Sequence, residues 1–214
     1  MIVDPVQVTP SGGGGDLNDS ERRSLVDAAA SLRPALIFCV VVEAIWVLTA
    51  FVPFGVMRSM GLIGSILSLI AAGMLAFALV RIADGAERAG VRMLAVTAAG
   101  LLVAQPIWSA ILQVLFMLHL FDVGSSLFIS TIVGLATIGG YGLLGYIFGR
   151  MSKALGQPEW PPLVLGSLGC TGGLVLLMLV RFVAPTAIPH VVPVVLHAGV
   201  FVCLLLALGP LSRR

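Results

Sequence analysis

Charge is what this chain has least of. Asp, Glu, Lys and Arg make up only 10% of its 214 residues, against 59% hydrophobic residues and a mean hydropathy of +1.11. Soluble domains carry about 25% charged residues, so this composition excludes a domain whose main solvent is water. Catalytic signatures are missing as well. The sequence has no phosphate-cradling Gly-Lys-Ser/Thr loop, no His-Glu-x-x-His, no Gly-x-Ser-x-Gly and no dense acidic motif of the kind that holds Mg²⁺. Enzymatic activity is therefore not expected, nor a bound cofactor. The net charge of +2 comes from basic residues scattered over loop ends, with no stripe of them along a helix or strand, so nucleic acid is not an expected partner. Cysteine is scarce: Cys39, Cys170 and Cys203 all sit in apolar runs without a Cys-x-x-Cys pair, which suits buried packing. Cleavable secretion signals begin with a basic stretch and then an apolar core. Residues 1–33 instead hold five acids and a Gly tract, so no signal peptide is expected.

What the chain does have is six long apolar runs, at about 34–57, 60–80, 93–119, 126–149, 162–183 and 189–209. Each is long enough for the ~20 residues that cross a bilayer core as helix. A helix is also one of the few structures that satisfies its own backbone polar groups in lipid. The expected fold is all-α, a polytopic integral membrane protein whose residues 34–211 form a six-transmembrane-helix bundle. If the runs alternate in direction, Arg22, Arg23, Arg33, Arg81, Arg88, Arg92, Arg150, Lys153, Arg213 and Arg214 share one side, leaving Arg58 and Arg181 on the other. Basic residues near helix ends are retained in the cytoplasm. Both termini are accordingly expected there, in a plasma membrane or bacterial inner membrane, with the lipid bilayer as the first partner.

Residues 1–16 end in Ser11-Gly12-Gly13-Gly14-Gly15 and lack the apolar content to offset ordering entropy, so a disordered tail is expected. Over 17–33, Ser20 can cap a helix in which Leu25, Ala28, Ala29 and Leu32 recur at helical spacing. Two readings fit: a short interfacial amphipathic helix, or an extension of the first span. Pro34 suits the first turn of that span. The links between runs are too short to fold into a domain, so any site must be built between helices or at their mouths. Small residues recur at four-residue spacing as Gly64, Ser68 and Ala72, as Gly145 and Gly149, and as Gly169 and Gly173, which predicts close packing of the second, fourth and fifth helices.

The residue types with chemical potential are few. Glu43 interrupts an apolar stretch about nine residues from the inner end of the first run, a depth of about 14 Å. An ionised acid there costs several kcal/mol unless it is protonated, paired or hydrated, so it should face the bundle interior. The same arithmetic puts Gln105, Thr137 and Thr171 within about one helical turn of that height. His197 lies somewhat nearer the outer face, within reach only if the first and sixth helices are neighbours. Gln105-Pro106 should free the carbonyl of Leu102 and kink the third helix. Trp46 and Trp108 lie too deep for the interfacial belt, so their indole N–H groups need inward partners. At the outer face His119, Asp122, Arg181 and His190 form a second candidate cluster. A shared metal is disfavoured, since His190 and His197 sit about 10 Å apart along one helix, and the expected reading is an Asp122 ion pair with Arg181 or Arg58.

Three functions follow from these features. The leading one is a non-enzymatic structural or accessory subunit, held to a membrane-protein partner or to a second copy by the small-residue faces. The alternative is a small proton- or cation-coupled transporter or channel built on Glu43. The third is an intramembrane metal or haem protein.

Overall fold

The structure, a computed structural model, describes residues 19–49, 54–85, 91–118, 123–158, 160–183, 189 and 191–211. Among these residues are six helices: α1 (Asp19–Thr49), α2 (Phe54–Gly85), α3 (Arg92–Met117), α4 (Val123–Ala154), α5 (Pro162–Val183) and α6 (Val191–Leu211). Each holds a stretch of 19 to 27 residues apolar enough to cross a membrane. Their outward surfaces are apolar too, with Leu48, Phe77, Val96, Phe128, Leu176 and Leu206 exposed on α1 to α6 in turn. Such a surface is a liability in water and a match for lipid. The chain is a multi-pass, all-helical membrane protein.

The helices form a closed ring in chain order. Each packs on the next, and α6 returns to pack on α1. Cross-helix contacts set four consecutive pairs antiparallel: Trp46 meets Gly64 while Cys39 meets Ala71, Trp108 meets Ser130 while Leu101 meets Gly140, Gly145 meets Leu168 while Gly134 meets Met178, and Gly166 meets Cys203 while Gly173 meets Leu196. The short link from Gly85 to Arg92 turns the chain back likewise and brings Ser65 to Ser109. The start of α1 and the end of α6 therefore share one end of the bundle, called here the terminal end. Between α4 and α5 the turn is held by Gly156, whose φ of +73° lies in the left-handed region that glycine adopts without a Cβ penalty. Gly156 N–H donates to Lys153 O at 3.0 Å and Gln157 N–H to Ser152 O at 2.8 Å, a Schellman arrangement that satisfies the last carbonyls of α4. Pro162 then opens α5, where its missing N–H costs nothing.

The first two helices differ in extent from the apolar runs that predicted them. The run at 34–57 was read through Pro53, which cannot continue a helix; α1 stops at Thr49 and α2 takes up Phe54 to Met57. At its other end α1 reaches back to Asp19, with Pro34 inside it and not at its first turn. The Leu25, Ala28, Ala29 and Leu32 stripe belongs to this same helix and is buried against the bundle. The tail 1–16 lies outside the described residues.

Packing is uneven along the bundle axis. The twelve largest fully buried side chains, among them Leu32, Leu36, Leu79, Ile82, Leu144, Phe148 and Leu204, all lie in the terminal half, where they form a dry plug. In the opposite half the described residues include no large apolar side chain buried that deeply; Leu174 and Ile138 are less completely covered, and Thr49, Ser65, Ser126, Thr137 and Gly64 are among the small or polar residues buried there. The small-residue faces serve internal packing: Gly64 receives the Trp46 ring, Gly145 receives Leu168, and Gly173 receives Leu196, whereas a side chain at Gly169 would meet nothing within 4 Å.

Candidate functional site

Above the plug, between the middle and the far end, the ring encloses a cavity of about 230 Å³. Successive turns of single helix faces build it. From α1 come Cys39, Val42, Glu43 and Trp46; from α2, Ser68, Ala71, Ala72 and Leu75; from α3, Leu102, Gln105, Pro106 and Ser109; from α4, Thr137 and Tyr141; and from α6, His197 and Phe201. Spacings of three and four residues put these groups on common faces. α5 contributes nothing to the wall.

Hydroxyls and indoles fasten the neighbouring helices around this space. Trp46 Nε1–H donates to Ser68 Oγ at 3.1 Å, linking α1 to α2. Ser65 and Ser109 share a hydrogen bond at 3.3 Å between α2 and α3. Trp108 Nε1–H donates to Ser130 Oγ at 2.8 Å between α3 and α4. Thr137 Oγ1–H reaches Val133 O at 3.0 Å and Leu101 O at 3.4 Å. Tyr141 bridges a wider gap: α4 and α6 barely touch, yet its buried ring lies 5.4 Å from the centroids of both His197 and Phe201, tilted 60° to the first and edge-on to the second. On the far side of the ring α5 and α6 are joined by close packing, in which Cys203 sits on Gly166 and Cys170 on Gly199.

Of the five residues expected at mid-depth, four converge here: Glu43, Gln105, Thr137 and His197 line one cavity. His197 gets there because α6 and α1 are neighbours. Thr171 does not join them; its hydroxyl donates to Ser167 O at 2.9 Å within α5. Of the two deep tryptophans Trp46 faces the cavity and Trp108 does not. Glu43 receives no hydrogen bond and forms no ion pair among the described residues. Among the described residues no Lys or Arg lines the wall, and Glu43 is its one carboxylate. Gln105 is exposed, so the cavity is not sealed around it. The α3 helix runs unbroken through Pro106, which the cavity relieves of packing on one side.

Tyr141, Phe201 and Ser109 escaped the sequence reading, and Ser68 figures in it only as part of a packing face. Two of them had a signal: Tyr141 stands four residues beyond Thr137 and Phe201 four beyond His197, one helical turn along the same faces. The outer cluster of His119, Asp122 and His190 lies outside the described residues, as does the side chain of Arg181. Among the described residues no group of three or more His, Cys, Asp or Glu is placed to hold a metal ion.

The fold and cavity together define a class: a polytopic membrane protein with an intramembrane, acid-bearing chamber. No family model, curated protein or solved structure matches the chain.

Proposed function

We propose that this protein is a small transporter or channel of the plasma or bacterial inner membrane, with its terminal end in the cytoplasm, and that a solute or ion occupies the central cavity midway across. One observation carries this reading. An acid without a partner faces a chamber large enough for several waters, since a single site takes about 10–15 Å³ on the same measure. A purely structural glutamate would be packed dry against a hydrogen-bonding partner, because an unsatisfied intramembrane acid is expensive. Orientation rests on the basic residues at the terminal end, Arg23, Arg33, Arg81, Arg92, Arg150 and Lys153 among them.

Reconstituted vesicles with a trapped pH dye test the reading. Wild-type protein should collapse an imposed pH gradient faster than empty vesicles, and Glu43→Gln should return the rate to the empty-vesicle value with expression unchanged. Equal rates for wild-type and empty vesicles would overturn it.

The accessory-subunit reading retains one observation of its own. Gly73, Gly100, Gly169 and Gly172 leave open space on the bundle's outside, which a helix of a partner or second copy could approach closely. Gentle detergent extraction separates the two readings: a stoichiometric partner supports the subunit, a clean monomer counts against it.

A further inference from the structure

We propose that the cavity is a binding site for a small, weakly hydrated organic ammonium ion, held between the Glu43 carboxylate and the rings of Trp46, Tyr141 and Phe201. The proposal deepens the transport reading by naming its solute class, and depends on that reading only for the consequence that the bound ion crosses the membrane.

Elimination does much of the work. An anion would meet one like charge and no permanently cationic side chain, since among the described residues neither Lys nor Arg lines the wall. A neutral solute would do nothing to offset the charge of the acid whenever it is ionised in this low-dielectric space. A hard divalent cation is usually held by several carboxylate and carbonyl oxygens, and the described wall offers it a single carboxylate. An organic ammonium ion asks for less. Its charge is diffuse and its shell of water loosely held, so ring faces and one carboxylate can replace that shell.

The rings are also held ready. Trp46 is pinned by its bond to Ser68 at 3.1 Å and by Gly64, at which a Cβ would lie 2.6 Å from the indole. Tyr141 is set edge-on to Phe201 at 5.4 Å. Groups fixed before the ligand arrives lose little freedom when it binds. The size fits as well. A dry cavity of about 150 Å³ admits benzene, so about 230 Å³ accommodates a guest of roughly nine non-hydrogen atoms by the same ratio.

Choline and 3,3-dimethylbutan-1-ol, its neutral carbon isostere, are the probes. Their binding to the full chain in detergent is followed by calorimetry and by tryptophan fluorescence. Choline should bind saturably, and the isostere on the order of thirtyfold more weakly or worse, as expected for losing one partner of a buried charge pair. Phe201→Leu, which keeps apolar bulk and removes the ring, should weaken choline roughly tenfold and leave the isostere unchanged. Equal affinity for the two probes, or no saturable choline binding, overturns the proposal without any variant that must fold. Dye-loaded vesicles made from the same preparation separate the two claims: proton flux through Glu43 without choline binding sinks the ligand class alone. Choline binding without proton flux upholds the site and removes proton-coupled transport.

Discussion

Four glycine-to-alanine changes should differ in cost by what stands opposite the new methyl, and not by how near it stands. At Gly140 the added Cβ would lie 3.0 Å from Leu102 Cγ, 3.1 Å from its Cδ2 and 3.2 Å from Leu101 Cβ. Leu101 Cβ is fixed to its backbone, and Leu102 is buried, so no rotamer relieves the contact and α3 must part from α4. Overpacking of this kind costs about 1–3 kcal/mol; the better helix propensity of alanine returns up to about 1 kcal/mol. A net loss of about 1–2 kcal/mol follows. At Gly199 the nearest atom is Cys170 Sγ at 2.8 Å, one bond from a rotatable Cβ, and the loss should fall to about 0–1 kcal/mol. At Gly134 the approach is closest of the three, 2.6 Å to Met178 Cε. That methyl is the free tip of an adaptable thioether, so propensity should cancel the clash. At Gly172 nothing stands within 4 Å, and alanine should stabilise by up to about 1 kcal/mol. Unfolding in an SDS titration, followed by far-ultraviolet circular dichroism, gives the order directly. If Gly134→Ala proved the most damaging, bare proximity would decide the cost and the argument from neighbour freedom would be wrong.

Two further outcomes can be read in the same assay. Ser167 Oγ is buried between α4 and α5 without a hydrogen-bond partner, so Ser167→Ala should be neutral or stabilising by about 1 kcal/mol; a clear loss would mean the hydroxyl is satisfied after all. Trp46→Phe keeps a ring against Gly64 but removes the donor to Ser68, and should cost about 0.6–1.7 kcal/mol, the range for hydrogen bonds between membrane helices. A Trp46→Phe, Ser68→Ala double variant that loses the full sum of the single effects would show that the two side chains are not coupled.

Much of this architecture was legible because a bilayer imposes one length on every crossing segment, and apolar runs of that length are visible in composition alone. Depth was legible too. A helix rises a fixed 1.5 Å per residue, so Glu43, Gln105, Thr137 and His197 could be placed near a common level before their neighbours were known. Azimuth was not. Thr171 has a suitable depth but sits on α5, which stands outside the cavity wall, and no count along the chain reveals which helices line a space. The limits of α1 were hidden for a related reason. Leu25 and Leu32 lie beyond the run that the bilayer requires, and they are buried in one core cluster with Ile82, Phe148 and Leu208, residues of other helices that only the closed ring brings together.

That ring sets a limit on how a transport cycle could run. The cavity is closed toward the terminal end by the fully buried large side chains of the plug, with Leu75 at its upper edge lining the wall. Wetting one such side chain costs about 1.5–3 kcal/mol, and wetting all of them on the order of 20–35 kcal/mol, more than the tightest known ligands release. Shifting a two-state equilibrium from one extreme to the other takes only about 5.5 kcal/mol of differential binding. A cycle driven by a cation at Glu43 can therefore expose two or three of these side chains and no more. The plug must stay largely intact and move as blocks, with a seam opening between helices that remain packed within themselves. The backbones of α4 and α6 barely meet, whereas the turn at Gly156 ties α4 to α5 at the terminal end, so the seam falls most cheaply between α4 and α6. A pair of cysteines that cross-links α4 to α6 in the terminal half should then stop proton flux and leave choline binding in place. Flux that survives the cross-link would put the moving seam elsewhere.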